Sequence, residues 1–156
     1  MRRSVAIALA VVMVLAAGIV TFALRSRGAT SPEEAVRAAV QQMEQGLSEK
    51  DASRVMEAVS ETFRSQTLGD RTELRRMVLG LFMRGGGLKV VTLQAEVLPE
   101  EAGRLRWRGR VAAAQPGGGG LSTLTDAELR QFHVDALFAD EHGHWRVVEA
   151  TVTPVE

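Results

Sequence analysis

Phe132-His133-Val134-Asp135-Ala136-Leu137-Phe138-Ala139-Asp140-Glu141-His142-Gly143-His144-Trp145-Arg146-Val147-Val148 is the stretch on which the fold turns. Phe132, Val134, Ala136 and Phe138 alternate with Gln131, His133, Asp135 and Leu137. That period of two gives a strand one apolar face. Asp140-Glu141-His142-Gly143 reads as a hairpin turn, since glycine and short acidic side chains suit a tight reversal. A last strand then runs from His144 to about Thr153. Its adjacent valines, Val147 and Val148, blur the alternation and predict a bulge.

Moving toward the N-terminus, the same period appears twice more. Leu105, Trp107, Gly109, Val111 and Ala113 share one face of a strand whose other face carries Arg104, Arg106, Arg108 and Arg110. Before it, Val91, Leu93, Ala95 and Val97 alternate with Thr92, Gln94 and Glu96, and Pro99 to Gly103 forms a turn. The glycine-rich run Gln115 to Gly120 is a loop that continues to about Glu128. It lacks the lysine and following helix of a phosphate-binding loop.

Upstream of Gly87 the period lengthens to that of helices. Ser31-Pro32-Glu33-Glu34 has the form of a capping box with proline in the first turn. Val36, Val40, Met43 and Leu47 follow on one helical face, and Gly46 and Ser48 are expected to end it. Ser48 to Asp51 starts a short second helix with Ala52, Val55, Met56 and Val59 on its apolar face. Ser60 to Arg64 reads as the helix exit and a brief extended piece. Asp70-Arg71-Thr72-Glu73 caps a third helix with Leu74, Met77, Val78, Leu81 and Phe82 inward, stopped by Gly85 to Gly87. Helices followed by hairpin-linked strands define an α+β class. The expected architecture is three helices packed on a curved antiparallel sheet of about four strands.

Residues 4–24 contain no charge. These 21 residues would span about 31 Å as a helix, the thickness of a bilayer's hydrocarbon core. The run is longer than the apolar part of a cleaved leader, and Thr21-Phe22-Ala23 is a poor cleavage site. A single transmembrane anchor is therefore expected, with a cleaved signal as the alternative; either exports the rest of the chain. The division is residues 1–28 as signal anchor and linker, and 29–156 as one domain.

The 156-residue chain has 19 basic and 19 acidic residues. Four arginines of that total lie in residues 1–28, leaving the domain with 15 basic against 19 acidic groups, a net of −4. That balance excludes a strongly basic nucleic-acid binder. There is no cysteine, tyrosine or asparagine. Disulfides, thiol nucleophiles, cysteine metal sites and a lipoprotein anchor are thereby excluded.

Three stretches resemble the nuclear transport factor 2-like superfamily, the SnoaL-like cone of helices on a sheet shared with polyketide cyclases and ketosteroid isomerases. They are the capped helix from Pro32 running through Leu47-Ser48-Glu49-Lys50-Asp51-Ala52 to Phe63, the helix-to-strand passage from Asp70 to Val97, and the closing hairpin with its acidic-glycine turn followed by Trp145-Arg146-Val147. The resemblance covers about residues 31–153. It implies a pocket between sheet and helices, used by some members for catalysis and by others for binding, and frequent pairing of two copies through the sheet. Exported members with one membrane anchor exist among them. The absence of tyrosine removes the tyrosine-dependent isomerase and dehydratase arrangements.

Four groups of residues are candidates. Trp107, Phe132, Val134 and Trp145 are candidates to line a pocket, with core packing the simpler reading of the two tryptophans. His133 and Asp135, two apart on a strand, form the arrangement of a general base oriented by a carboxylate. Their face is the more polar one, where an exposed pair is the simpler reading. Arg104, Arg106, Arg108 and Arg110 offer a surface for an acidic partner, or pair with Glu96, Asp135 and Glu149 across strands. Asp140, Glu141, His142 and His144 have metal-ligand chemistry but lie in a turn, where polar residues are ordinary.

The resulting expectation is a non-catalytic ligand-binding or protein-interaction module outside the cytoplasm, tethered to a bacterial inner membrane. Its expected partners are the membrane through the N-terminal helix, a second copy through the sheet, and a small apolar ligand or a protein. No nucleic acid, cofactor or metal is expected. The alternative is a small-molecule enzyme of hydrolase, isomerase or cyclase type using His133 and Asp135.

Overall fold

The computed structural model describes residues 31–84, 87–114 and 130–155. The expected membrane segment at 4–24 lies outside them. Among the described residues no helix is long and apolar enough to cross a membrane.

The chain forms helices α1 (Pro32–Glu49) and α2 (Ala52–Glu57), strands β1 (Val59–Ser65) and β2 (Gly69–Asp70), and helix α3 (Arg71–Met83). Four long strands follow: β3 (Lys89–Pro99), β4 (Leu105–Ala114), β5 (Arg130–Glu141) and β6 (His144–Pro154). Among the described residues three helices accompany one six-stranded sheet of order β2-β1-β6-β5-β4-β3. The α+β class holds, but the sheet is mixed and larger than the four antiparallel strands expected. β3 to β6 are antiparallel, whereas β1 runs parallel to β6, pairing Val59 with Val147 and Arg64 with Glu149. β1 escaped the sequence reading for a physical reason. Its register slips between Val59 and Arg64, so Ser60, Glu61 and Thr62 show no period of two. Its partner also lies far along the chain, in the last strand.

Local chemistry sets the helix ends. Asp70 accepts a hydrogen bond from the Glu73 backbone N–H at 2.9 Å, and Glu73 Oε2 accepts one from the Asp70 N–H at 3.0 Å, closing the expected capping box. Asp51 caps α2 through the Arg54 N–H at 3.0 Å. Gly46 does not end α1. It is buried where α2 crosses, and a Cβ there would lie 2.7 Å from Val55 Cγ2 and 3.0 Å from the Asp51 carbonyl oxygen. The glycine permits close helix packing, and the turn out of α1 comes at Lys50, in the left-handed region at φ 59°. α3 ends at Met83, with Arg84 as its C-cap.

The closing hairpin has the two-residue turn His142-Gly143, with φ of 58° and 85°, the twist that matches paired strands. Asp140 Oδ1 accepts the Gly143 N–H at 2.7 Å. The predicted bulge is present. Leu137 pairs with Glu149 and Phe138 with Val147, leaving Val148 without a partner in the ladder. A second bulge at Leu93 corrects the expected face of β3. Thr92 pairs with Val111 and Gln94 with Arg110, so the parity reverses between them. Val90, Ala95 and Val97 pack against the core, while Val91 and Leu93 are about half exposed.

The core lies between the helices and the inner sheet face. Val36 and Ala39 of α1, Met56 of α2 and Val59 and Phe63 of β1 meet Trp107, Ala136, Phe138 and Val147. Phe138 is fully buried at the centre.

Candidate functional site

The side chains that alternate inward on β4, β5 and β6 form one wall of a cavity of about 230 Å³ beneath the helices. Trp107, Val134, Ala136, Ala150 and Val152 contribute from the sheet; Val40, Met43 and Leu47 from α1; Leu74 and Val78 from α3. These residues face one another because the period of two on the strands and of 3.6 on the helices each places an apolar stripe against the other. Among the described residues Glu44 of α1 is the ionisable group on this wall. It is half-buried, and its Oε1 accepts a hydrogen bond from the Thr92 hydroxyl of β3.

Of the four pocket candidates, Trp107 and Val134 line the cavity, while Phe132 and Trp145 are partly buried against the surrounding core. Trp107 is 3% exposed, held by its neighbours on every side. Nothing in the sequence singles out Glu44. It lies on a helix with many polar positions, and only the approach of α1 to β3 brings it to the cavity.

His133 and Asp135 lie on the other side of the sheet. They border a polar recess of about 400 Å³ with Gln94, Glu96, Arg108 and Arg110. Among the described residues no hydrogen bond joins the two. The Asp135 carboxylate is divided instead between two arginines, Oδ1 to Arg106 Nη1 at 2.6 Å and Oδ2 to Arg108 Nε at 3.0 Å. Arg106 also pairs through Nε with Glu100. Hydrogen bonds to Glu100 first and Asp135 second raise the Arg106 pKa above the ordinary arginine value, against a smaller opposing effect of burial. A carboxylate so held is a poor partner for orienting an imidazole.

The arginine row divides by role. Arg104 precedes β4 and donates from Nε to the Glu101 carbonyl at 3.3 Å. Arg106 and Arg108 are ion-paired as above, and Arg110 stands exposed opposite His133 and Gln94. Of the three acidic partners expected for the row, Asp135 takes the part, joined by Glu100. Glu96 lies opposite Arg108 in the ladder, and Glu149 instead pairs with Leu137 and Arg64. Among the described residues no three histidine or carboxylate groups come together as a metal-binding set. Asp140 is engaged in the hairpin turn and Glu141 accepts from Ser60.

Comparison with known proteins yields no matching family model and no matching curated protein. Solved structures do match. A protein from Novosphingobium aromaticivorans, provisionally named scytalone dehydratase, superposes with a TM-score of 0.67 at 9% identity over 78% of this chain and 83% of its own. Aln2 from a Streptomyces species gives 0.65 at 10% identity, covering 80% and 92%. An uncharacterized protein with a cystatin-like fold from Caulobacter vibrioides gives 0.63 at 13% identity, covering 79% and 89%. The fold is cystatin-like. At these identities the likeness is one of fold, which does not choose an activity.

Proposed function

We propose that the domain is a non-catalytic binding module whose inner cavity takes a small apolar ligand. The observation that carries this reading is the cavity itself. Its walls are aliphatic side chains and the Trp107 ring, and the one ionisable residue among the described wall, Glu44, is bonded to Thr92. An apolar cavity of about 150 Å³ accommodates a benzene-sized molecule, so about 230 Å³ suits a somewhat larger one and is small for a drug-sized ligand. Burial of apolar surface would drive binding, at roughly 25 cal/mol per Å² removed from water.

The uncharged run at 4–24 supports a membrane-bound form of this module. In that form the helix spans a bacterial inner membrane and the domain works at its outer face, nuclear transport factor 2-like in family and confined to two dimensions near other membrane components. The enzyme alternative has less support. His133 and Asp135 are on the sheet face remote from the apolar cavity, and Asp135 is committed to Arg106 and Arg108.

Native mass spectrometry of residues 29–156 tests the proposal. The expected result is an excess mass that is lost on denaturation and is absent from Ala150→Phe, in which the ring fills the cavity. A bare protein, unresponsive to added small hydrocarbons, would overturn it.

A further inference from the structure

A recess of about 310 Å³ separate from the apolar cavity lies among α2, β1, α3 and the start of β6. Three guanidiniums border it. Arg71 and Arg75 stand one turn apart on α3, and Arg146 comes from β6. Ser53 adds a hydroxyl, and Glu57 and Glu61 are the carboxylates on its rim. Among the residues lining the recess, guanidiniums outnumber carboxylates by three to two, in a domain whose sequence is net acidic.

The arginines are unequally engaged. Arg71 is fixed by the backbone, donating from Nε to the Val59 carbonyl and from Nη2 to the Met56 carbonyl, each at 3.3 Å. Its ion pair with Glu61 is long, 3.4 Å, and the Glu61 side chain is 78% exposed. Arg146 reaches Glu141 through Nη1 at 3.3 Å, yet its Nε is buried with no hydrogen-bond partner among the described residues. A buried donor left unpaired is costly and marks a place where an acceptor is missing. Arg75 is exposed and has no ion pair among the described residues. Glu57 already accepts from Gln42 Nε2 at 3.0 Å.

We propose that this recess binds a phosphate-type oxyanion. Guanidinium forks match the oxygen spacing of phosphate, and several of them share a multiply charged anion better than a single carboxylate can. The Glu61 carboxylate occupies the edge of the anion position on a solvated stem. An incoming phosphate displaces it from Arg71, takes the free fork of Arg75 and approaches the Arg146 side chain. The chemistry is shared by free phosphate and by a phosphorylated lipid headgroup.

The test is calorimetric titration of the full chain in maltoside micelles at low salt, with inorganic phosphate and, separately, with glycerol phosphate as the headgroup form. Saturable binding of either is expected. Arg75→Ala and Arg146→Lys should weaken it by about tenfold, the loss of one charge-assisted contact, while Glu61→Gln tightens it. Circular dichroism establishes that each variant is folded, and Arg75→Ala, at an exposed position, stands in should Arg146→Lys fail to fold. Arg110→Ala, on the far face of the sheet, should bind as the parent does. Tighter phosphate assigns the site to the free anion and tighter glycerol phosphate to a headgroup; both support it. Absence of saturation with both ligands, Arg75→Ala binding as the parent does, Glu61→Gln failing to tighten, or loss of binding in Arg110→Ala overturns it.

Discussion

The indole of Trp107 lies over Gly109, two residues along the same face of β4. A Cβ on Gly109 would fall within 2.7 Å of Trp107 Cζ2 and 2.8 Å of Cζ3. The absence of a side chain at 109 thus lets the ring lie flat along the strand, where it forms part of the cavity wall. The glycine is needed for space and not for an unusual backbone angle.

Gly109→Ala should therefore act on stability and on the cavity together. The ring is packed by core neighbours and cannot move without disturbing them, so the substitution is an overpacking change costing about 1–3 kcal/mol. Urea denaturation should show a lower midpoint with an unchanged slope, and Trp107 emission should shift as the ring leaves its place. A midpoint equal to the parent's would mean that the ring repacks freely.

Asp70→Ala removes the side-chain half of the α3 capping box, since Glu73 then closes on a residue that no longer accepts from its N–H. The expected loss is about 1 kcal/mol, read from chemical denaturation. Glu73→Ala should cost less, because the Asp70 side-chain cap remains.

The outer-face cluster separates the binding and enzyme readings. His133→Gln with Asp135→Asn should leave ligand occupancy of the inner cavity unchanged and alter stability by no more than about 1 kcal/mol, because these pairs are solvent-screened. The contribution of Arg106 has a definite sign with pH. Its pKa is raised in the folded chain, so its stabilisation is complete below the ordinary arginine value and is lost only as pH climbs through the higher folded value. The difference in melting temperature between the parent and Arg106→Met should stay constant from about pH 7 to about pH 10, both far below the range in which arginine titrates.

Much of the structure is written locally in the chain. The Asp70 box, the Asp51-capped short helix, the His142-Gly143 reversal and the Val148 bulge each depend on a few consecutive residues, whose hydrogen bonding and period carry over directly into structure. The inward side of β4 and β5 is equally legible, which is why periodicity alone places Trp107 and Val134 on the inner face of the sheet. Where a residue's role depends on a distant partner, the local pattern is silent or misleading. Leu93 continues a clean alternation with Val91, Ala95 and Val97, yet the bulge in pairing with β4 turns it outward. Gly46 looks like a helix stop and serves as the contact point for Val55.

The sequence by itself determined the class, the capped helices, the apolar faces and the charge balance, because these follow from short-range periodicity and side-chain chemistry. Tertiary structure decided the rest. Parallel pairing of β1 with β6, the meeting of Glu44 with Thr92 at the cavity wall, and the gathering of Arg71, Arg75 and Arg146 around one recess all join segments far apart in the chain. Such meetings are fixed by which apolar faces close on one another, and no local pattern of residues records them.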